Sequence, residues 1–194
     1  DMTDTCRGHI GVALCGSFCT ISKSLAVMEQ LKKEGWHMTP LFSDAVYHTD
    51  TRFGEAAEIR RRVQALCGEE IIHSIRDAEP LGPKIRLDAL LIMPCTGNTL
   101  SKMAHGITDT TVTMAAKAQL RRDGAVVIAL ASNDALSANL CNIGTMLCRK
   151  QVYFVPLAQD DPEKKPHSLI CDFSQVADTL DCALRGTQLQ PIFC

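Results

Sequence analysis

The segment Asp88-Ala-Leu-Leu-Ile-Met-Pro-Cys-Thr-Gly-Asn-Thr99 joins an unalternating apolar run to a cluster of small hydroxyl and amide residues. The run reads as a strand buried on both faces, as in a parallel sheet. Pro94 has no amide hydrogen and is expected to end the ladder. Thr96, Asn98 and Thr99 then offer side-chain oxygens, and the helix starting there presents free amides. That combination suits an anionic cofactor group, and equally a plain N-cap after a buried strand. A second such place follows His9-Ile-Gly-Val-Ala-Leu14. Gly16 allows close backbone approach, Ser17 and Thr20 bring hydroxyls, and the next helix points its amides at the same spot. Phosphate fits that chemistry. The fingerprint Gly-x-Gly-x-x-Gly is absent around Gly16, which argues against a dinucleotide site in this chain. Ser43, ending the next apolar run, either completes a phosphate cradle or is a plain turn serine.

These loops need a framework, and strand and helix patterns alternate along the chain. Strands are expected at 9–14, 36–42, 70–75, 88–93, 125–131 and 151–157. Helices are expected at 22–34, 52–67, 98–105, from Thr108 or Asp109 to Arg122, at 135–149 and at 174–185. Residues 76–87, with Pro80, Gly82 and Pro83, read as an ordered loop, and 160–166 as a charged, proline-bounded one. Regular alternation predicts one domain over residues 1–194: a doubly wound, Rossmann-like α/β fold. It has a parallel sheet of about six strands, right-handed crossovers and helices on both faces. Residues 1–8 are polar and expected to fray, and 187–194 form a C-terminal tail. The direction of winding reverses between the first and fourth strands, so the loops holding Gly16-Ser17 and Pro94–Thr99 should meet at the switch point.

Composition narrows the function. The chain of 194 residues has a net charge of -2, and its basic clusters (Arg60–Arg62, Arg121-Arg122) lie beside acids on helical faces, so nucleic acid is not an expected partner. No apolar run reaches membrane-spanning length. The ten cysteines include no Cys-x-x-Cys pair, which fits a reducing cytoplasm and speaks against a zinc ribbon. Cys15, Cys19 and Cys95 lie in the loops of interest, but no histidine is spaced to join them, and no metal is expected.

Gly16-Ser17, Ser43, and above all Pro94-x-Thr96-x-Asn98-Thr99 with Lys102-Met-Ala-His-Gly-Ile-Thr-Asp109 resemble the flavoprotein family, which includes flavin-containing cysteine decarboxylases and prenyl-flavin synthases. The resemblance is closer to one member, a component of a two-chain oxidoreductase. It extends through Thr51-Arg-Phe-Gly-Glu55, Ala78–Lys84, Ser132-Asn-Asp-Ala-Leu136 and Gln159–Pro166. It implies FMN at the switch point, with Gly16, Ser17 and Ser43 at the phosphate and Thr96, Asn98, Thr99 and Ser101 along the ribityl chain and ring. It further implies a homo-oligomer, and a companion subunit that supplies the NADP site missing here. The implied substrate is a cyclic dihydropyridine carrying two carboxylates, oxidised to an aromatic pyridine during spore formation.

Such a substrate needs fixed cationic donors. Arg52 opens a helical pattern, where a cation meets the positive end of the dipole. It is expected either to reach outward to an anion or to pair with Glu55. Lys84, Lys102, Lys164 and Lys165 are further cations; His48 and His73 are candidate proton shuttles or structural residues. Cys95 is a space-filler or a thiol facing the flavin. Two departures separate the chain from the decarboxylases of the family. Their histidine before the fourth strand is replaced by Glu79-Pro80. Their Pro-x-Met-Asn-x-x-Met-Trp motif becomes Leu130-Ala-Ser-Asn-Asp-Ala-Leu136-Ser137, in which Asn133 alone of the distinctive residues survives. A flavin-dependent decarboxylase and a non-catalytic partner subunit are the alternative readings.

Overall fold

The computed structural model describes residues 6–194. Its framework is a seven-stranded sheet. β1 (Gly8–Leu14), β2 (Trp36–Phe42), β3 (Ala89–Cys95), β4 (Ala125–Ser132) and β5 (Val152–Phe154) pair in parallel. β6 (Leu157–Ala158) and β7 (Leu169–Cys171) add antiparallel pairings beyond β4. The order is β2-β1-β3-β4-β7-β6, with β5 also on β4. Every residue of β3 is buried, as its unbroken apolar run requires.

Helices α1 (Ile21–Lys33), α3 (Ala56–Cys67) and α8 (Val176–Leu184) serve one face of the sheet. Helices α4 (Ile75–Ala78), α5 (Gly97–Ala104), α6 (Thr111–Arg121) and α7 (Leu140–Leu147) serve the other. This is the division that right-handed crossovers on a reversing sheet demand. The short α2 (Asp44–His48) caps the end of β2. The core stripe of α1 is the one its spacing predicts, with Ile21, Leu25, Met28 and Leu31 buried. Gly35 at φ 90° and Gly68 at φ 69° lie just past α1 and α3, in backbone conformations that favour glycine.

Several expected elements change. The third strand expected at 70–75 shrinks to one parallel bridge, Leu41 with Ile72, on the outer edge of β2. The Ser74 side chain ends it by accepting from the Asp77 amide at 3.0 Å and capping α4. Pro94 does not end its strand. β3 runs to Cys95 and resumes pairing with β4 at Leu130 after a register shift, and the Pro94 carbonyl accepts from the Cys15 amide at 3.0 Å. A proline removes one donor from a ladder but leaves its carbonyl free to accept.

The helix expected from Arg52 begins only at Ala56, because Thr51 and Gly54 close a tight turn. The helix expected from Ala135 begins only at Leu140, because Asp134 and its neighbours fold into a turn first. The α6 cap is Thr110 rather than Thr108 or Asp109. The strand expected at 151–157 splits into β5 and β6.

Both ends of the described chain are tied down. The fraying expected of 1–5 lies outside the described residues, but Gly8 opens β1, and Arg7 pairs with Glu34 at 3.1 Å and Asp181 at 2.6 Å. The expected tail also docks: Phe193 bridges Leu157, and the Gln188 amide brackets the Phe154 backbone.

Candidate functional site

β1 sits between β2 and β3, so the chain reverses its winding there and the loops after β1 and β3 diverge around a crevice. A cavity of about 490 Å³ opens at that point, within the size range of ligand sites. Gly16, Ser17, Phe18, Cys19 and Thr20 line it from the β1 loop, and Thr96 and Gly97 from the β3 loop. Ala131, Ser132 and Asn133 come from the end of β4, Arg52 and Phe53 from the turn before α3. Asp160, Lys165, Ser168, Leu169 and Ile170 come from the segment leading into β7.

Of the candidates named in the sequence, Gly16, Ser17, Thr20, Arg52, Thr96, Asn133 and Lys165 meet here, together with Cys19. Their roles differ. Thr20 is buried at the cavity wall, and its hydroxyl donates to the Ser17 carbonyl at 2.8 Å, so it holds the loop. Gly16 is different: its φ is ordinary, and an added Cβ would only touch Ala45 and Phe18 at 3.4 Å. Protein packing alone therefore does not strictly demand a glycine there.

The first turn of α1 carries no acid, and no side chain caps it. A 3-10 turn, Phe18–Thr20, runs directly into it, and the Ile21 amide donates to the Phe18 carbonyl. The amides of Phe18 and Cys19 at the start of that turn have no backbone acceptor among the described residues and suit an anion. Thr96 caps α5 by accepting from the Thr99 amide at 3.2 Å. Arg52 and Asn133 have no hydrogen-bond or ion-pair partner among the described residues, and Arg52 does not pair with Glu55.

The remaining candidates lie elsewhere. Ser43 adjoins the β1 loop, its amide donating to the Leu14 carbonyl at 3.0 Å, but its side chain caps α2 by accepting from the Val46 amide. Thr99 is buried and donates to the Cys15 thiol at 3.4 Å, and burial pushes that thiol up to about 11. Asn98 is exposed and Ser101 half-buried on α5, and neither lines the cavity. Cys95 is fully buried, and burial raises its thiol well above the ordinary range. Its side chain packs in the core and does not line the cavity.

Spacing and residue type do not single out Phe18, Phe53, Gly97, Ser132, Asp160 or Ser168. Gly97 is required by packing: a Cβ there would lie 2.6 Å from Asn139 Nδ2, 2.6 Å from Ser132 Oγ and 2.8 Å from Asp134 Oδ1. Asp134 accepts from the Ser132 hydroxyl and from Asn139 Nδ2 at 2.9 Å, and these donors hold its carboxyl below the usual range. The Ser132–Leu136 motif thus builds the platform on which α5 starts. The signal for the 159–168 wall is present in the sequence as a motif, but the run reads locally as a solvated loop. Only the antiparallel pairing of Ser132 with Leu169 folds it over the crevice.

The chain belongs to the Flavoprotein family, whose model matches residues 2–177. It is 44% identical over 184 residues to the B subunit of dipicolinate synthase from Bacillus subtilis (strain 168), covering 95% of this chain and 92% of that one. The crystal structure of the dipicolinate synthase B subunit from Bacillus halodurans C superposes with a TM-score of 0.89 at 41% identity, over 97% of this chain and 96% of that one. The FMN-dependent cysteine decarboxylase SpaF shares the fold, with a TM-score of 0.70 at 21% identity over 92% and 98% of the two chains.

Proposed function

We propose that this chain is the B subunit of a dipicolinate synthase, acting with an A subunit to oxidise dihydrodipicolinate to dipicolinate, pyridine-2,6-dicarboxylate. The observation that carries this reading is the joining of the two loops of the switch point around one cavity, in a chain similar to such a component over nearly its whole length. The reaction removes a hydride and a proton from the dihydropyridine ring. The acceptor is FMN or the NADP bound through the A subunit. The setting is the mother-cell cytoplasm of a spore-forming bacterium, and the chain works as a homo-oligomer; no helix among the described residues is long and apolar enough to cross a membrane.

FMN fits the residues present. The turn leading into α1, Gly16 and the Ser17 hydroxyl would hold its phosphate, Ser43 supporting the neighbouring backbone; Thr96 would lie beside its ribityl chain, and Phe18, Ala131 and Ile170 would offer apolar surface to its ring. When bound, FMN supplies a two-electron acceptor, chemistry that side chains lack. The chain's own groups bind and orient: Thr20 fixes the phosphate loop, Thr96 holds the start of α5, and Asn133 presents a free amide to the cavity. Arg52 offers its guanidinium to an anionic group of the substrate.

One observation favours a second reading, a partner that shapes the companion subunit's site without flavin. The hydroxyls of Thr20 and Thr96 already donate within the protein, to Ser17 and to Thr99. One pair of measurements separates the two. FMN at about a hundredfold excess over its Kd should stabilise the purified chain by about 2.7 kcal/mol, and dipicolinate formation by the two subunits together should depend on added FMN. A companion subunit reaching full rate without this chain would sink its catalytic role.

A further inference from the structure

The cavity contains three charged lining residues: Arg52, Lys165 and Asp160. Two cations against one anion leave it net positive. The two cations reach it from opposite ends of the sheet order, Arg52 from beyond β2 and Lys165 from the segment entering β7.

Arg52 is held ready. Thr51 and Gly54 exchange backbone hydrogen bonds at 3.0 and 3.1 Å, the Thr51 hydroxyl accepts from the Phe53 amide at 3.1 Å, and the Asp50 carboxylate accepts from the Ala56 amide at 2.8 Å. Gly54, at φ 152°, closes a turn that a side chain would strain. At the tip the guanidinium lies 4.8 Å from the centre of the Phe53 ring, and Phe53 is 53% exposed and lines the cavity. A flat apolar surface and an unpaired cation are thereby presented together. On the other wall Lys165 is paired with Asp160 at 3.1 Å. That pair is exposed, and such pairs are weak enough to be exchanged for another carboxylate.

We infer that Arg52 and Lys165 form a two-armed clamp for the two carboxylates of a planar ring dicarboxylate. The ring rests on Phe53, and Asp160 is the counter-ion that one substrate carboxylate replaces on Lys165. This rests on the reading of the cavity given above. Asp160 neutralises Lys165 while the cavity is free of substrate and competes with the incoming carboxylate for it.

The test is calorimetric titration of the purified chain, with FMN present, by pyridine-2,6-dicarboxylate and by pyridine-2-carboxylate. Arg52→Ala and Lys165→Ala should each weaken the dicarboxylate by about tenfold or more, the usual loss of a charge-assisted hydrogen bond. Arg52→Lys should recover part of the loss. The monocarboxylate should bind the wild type more weakly and respond to one of the two alanine variants only. Asp160→Asn should strengthen dicarboxylate binding by removing the competitor, a gain that a merely structural role would not produce. FMN affinity should be unchanged throughout.

Unchanged dicarboxylate affinity in both alanine variants overturns the clamp. A loss of FMN affinity in its place also overturns it, by assigning the cations to the phosphate. Product formation by the two subunits together, run in parallel, keeps the two claims apart. Dipicolinate made at the wild-type rate by both variants refutes the clamp and leaves the function standing. Clamp-dependent binding without any dipicolinate formation refutes the function and leaves the clamp.

Discussion

The two edges of the sheet carry polar side chains of similar kind and use them in opposite ways. At the amino-terminal edge, His9 and His37 face each other across β1 and β2, their rings stacked 4.1 Å apart. Thr39 donates to Glu69 at 2.9 Å, so its oxygen is left to accept from His9 Nε2 at 2.7 Å, while His37 Nε2 meets the same carboxylate at 2.5 Å. Each member of that network has a partner inside it. At the carboxy-terminal edge, Arg52 and Asn133 have none among the described residues, and the first turn of α1 lacks a capping side chain. A closed network stabilises, whereas unmet donors around a crevice leave binding capacity for something else. The carboxyl ends of parallel strands are also where the loops splay apart. Position and unpaired chemistry agree on one edge only.

The contrast can be broken by substitution. The largest effect on stability should come from Gly97→Ala. Its methyl would press on three side chains locked around Asp134, and overpacking of this kind costs about 1–3 kcal/mol. Thermal melts should show it, with α5 disturbed in hydrogen exchange.

Gly16→Ala should behave in the opposite manner. Its methyl meets only Ala45 and Phe18 at ordinary contact, so the melting temperature should hold while FMN affinity falls about tenfold from the obstructed phosphate approach. A variant that melts early and binds FMN normally would show that Gly16 serves packing.

Glu69→Gln should cost about 1 kcal/mol or less, because its partners are partly exposed. It should leave both FMN and dicarboxylate binding untouched, since the amino-terminal edge takes no part in the site.

The smallest effect is a pH dependence from His9. Burial, helped by the neighbouring His37, lowers its pKa from the ordinary 6.5, so the folded state holds the ring neutral where the unfolded chain would protonate it. Stability from this group is present above pH 6.5 and is lost as pH falls through that value towards the folded pKa. Replacing His9 with Asn should flatten the melting temperature between pH 7.5 and 5.5 (about one unit either side of the imidazole range). An unaltered slope would remove His9 from the account.

The crevice was legible because the residues that build it announce themselves locally. Gly16-Ser17 and Pro94–Thr99 each follow a buried apolar run, and a common doubly wound strand order makes those two runs neighbours. Individual roles were less legible. Thr96 and Thr99 are three positions apart on one helix start, yet Thr96 faces the cavity and Thr99 turns inward to Cys15. Thr96 is the N-cap, with extended backbone outside the helical spiral, whereas Thr99 lies in the first turn of α5, so helical spacing does not relate the directions of the two side chains. Cys95 has a loop-like neighbourhood in sequence and lies in the core, because β3 continues through Pro94 to pair with β4.

Periodicity and the handedness of the crossover, local and chiral properties of the chain, specify a parallel sheet with helices on both faces, while the strand order that makes β1 the turning point is a matter of tertiary packing. That Arg52 and Lys165, more than a hundred residues apart, share one cavity with Asn133 and Gly16 emerges only in the folded chain. That meeting depends on the antiparallel return of β7 along the end of β4. It is a contact between distant segments whose strand is too short to be read from alternation, and whose charged approach looks in isolation like solvated loop.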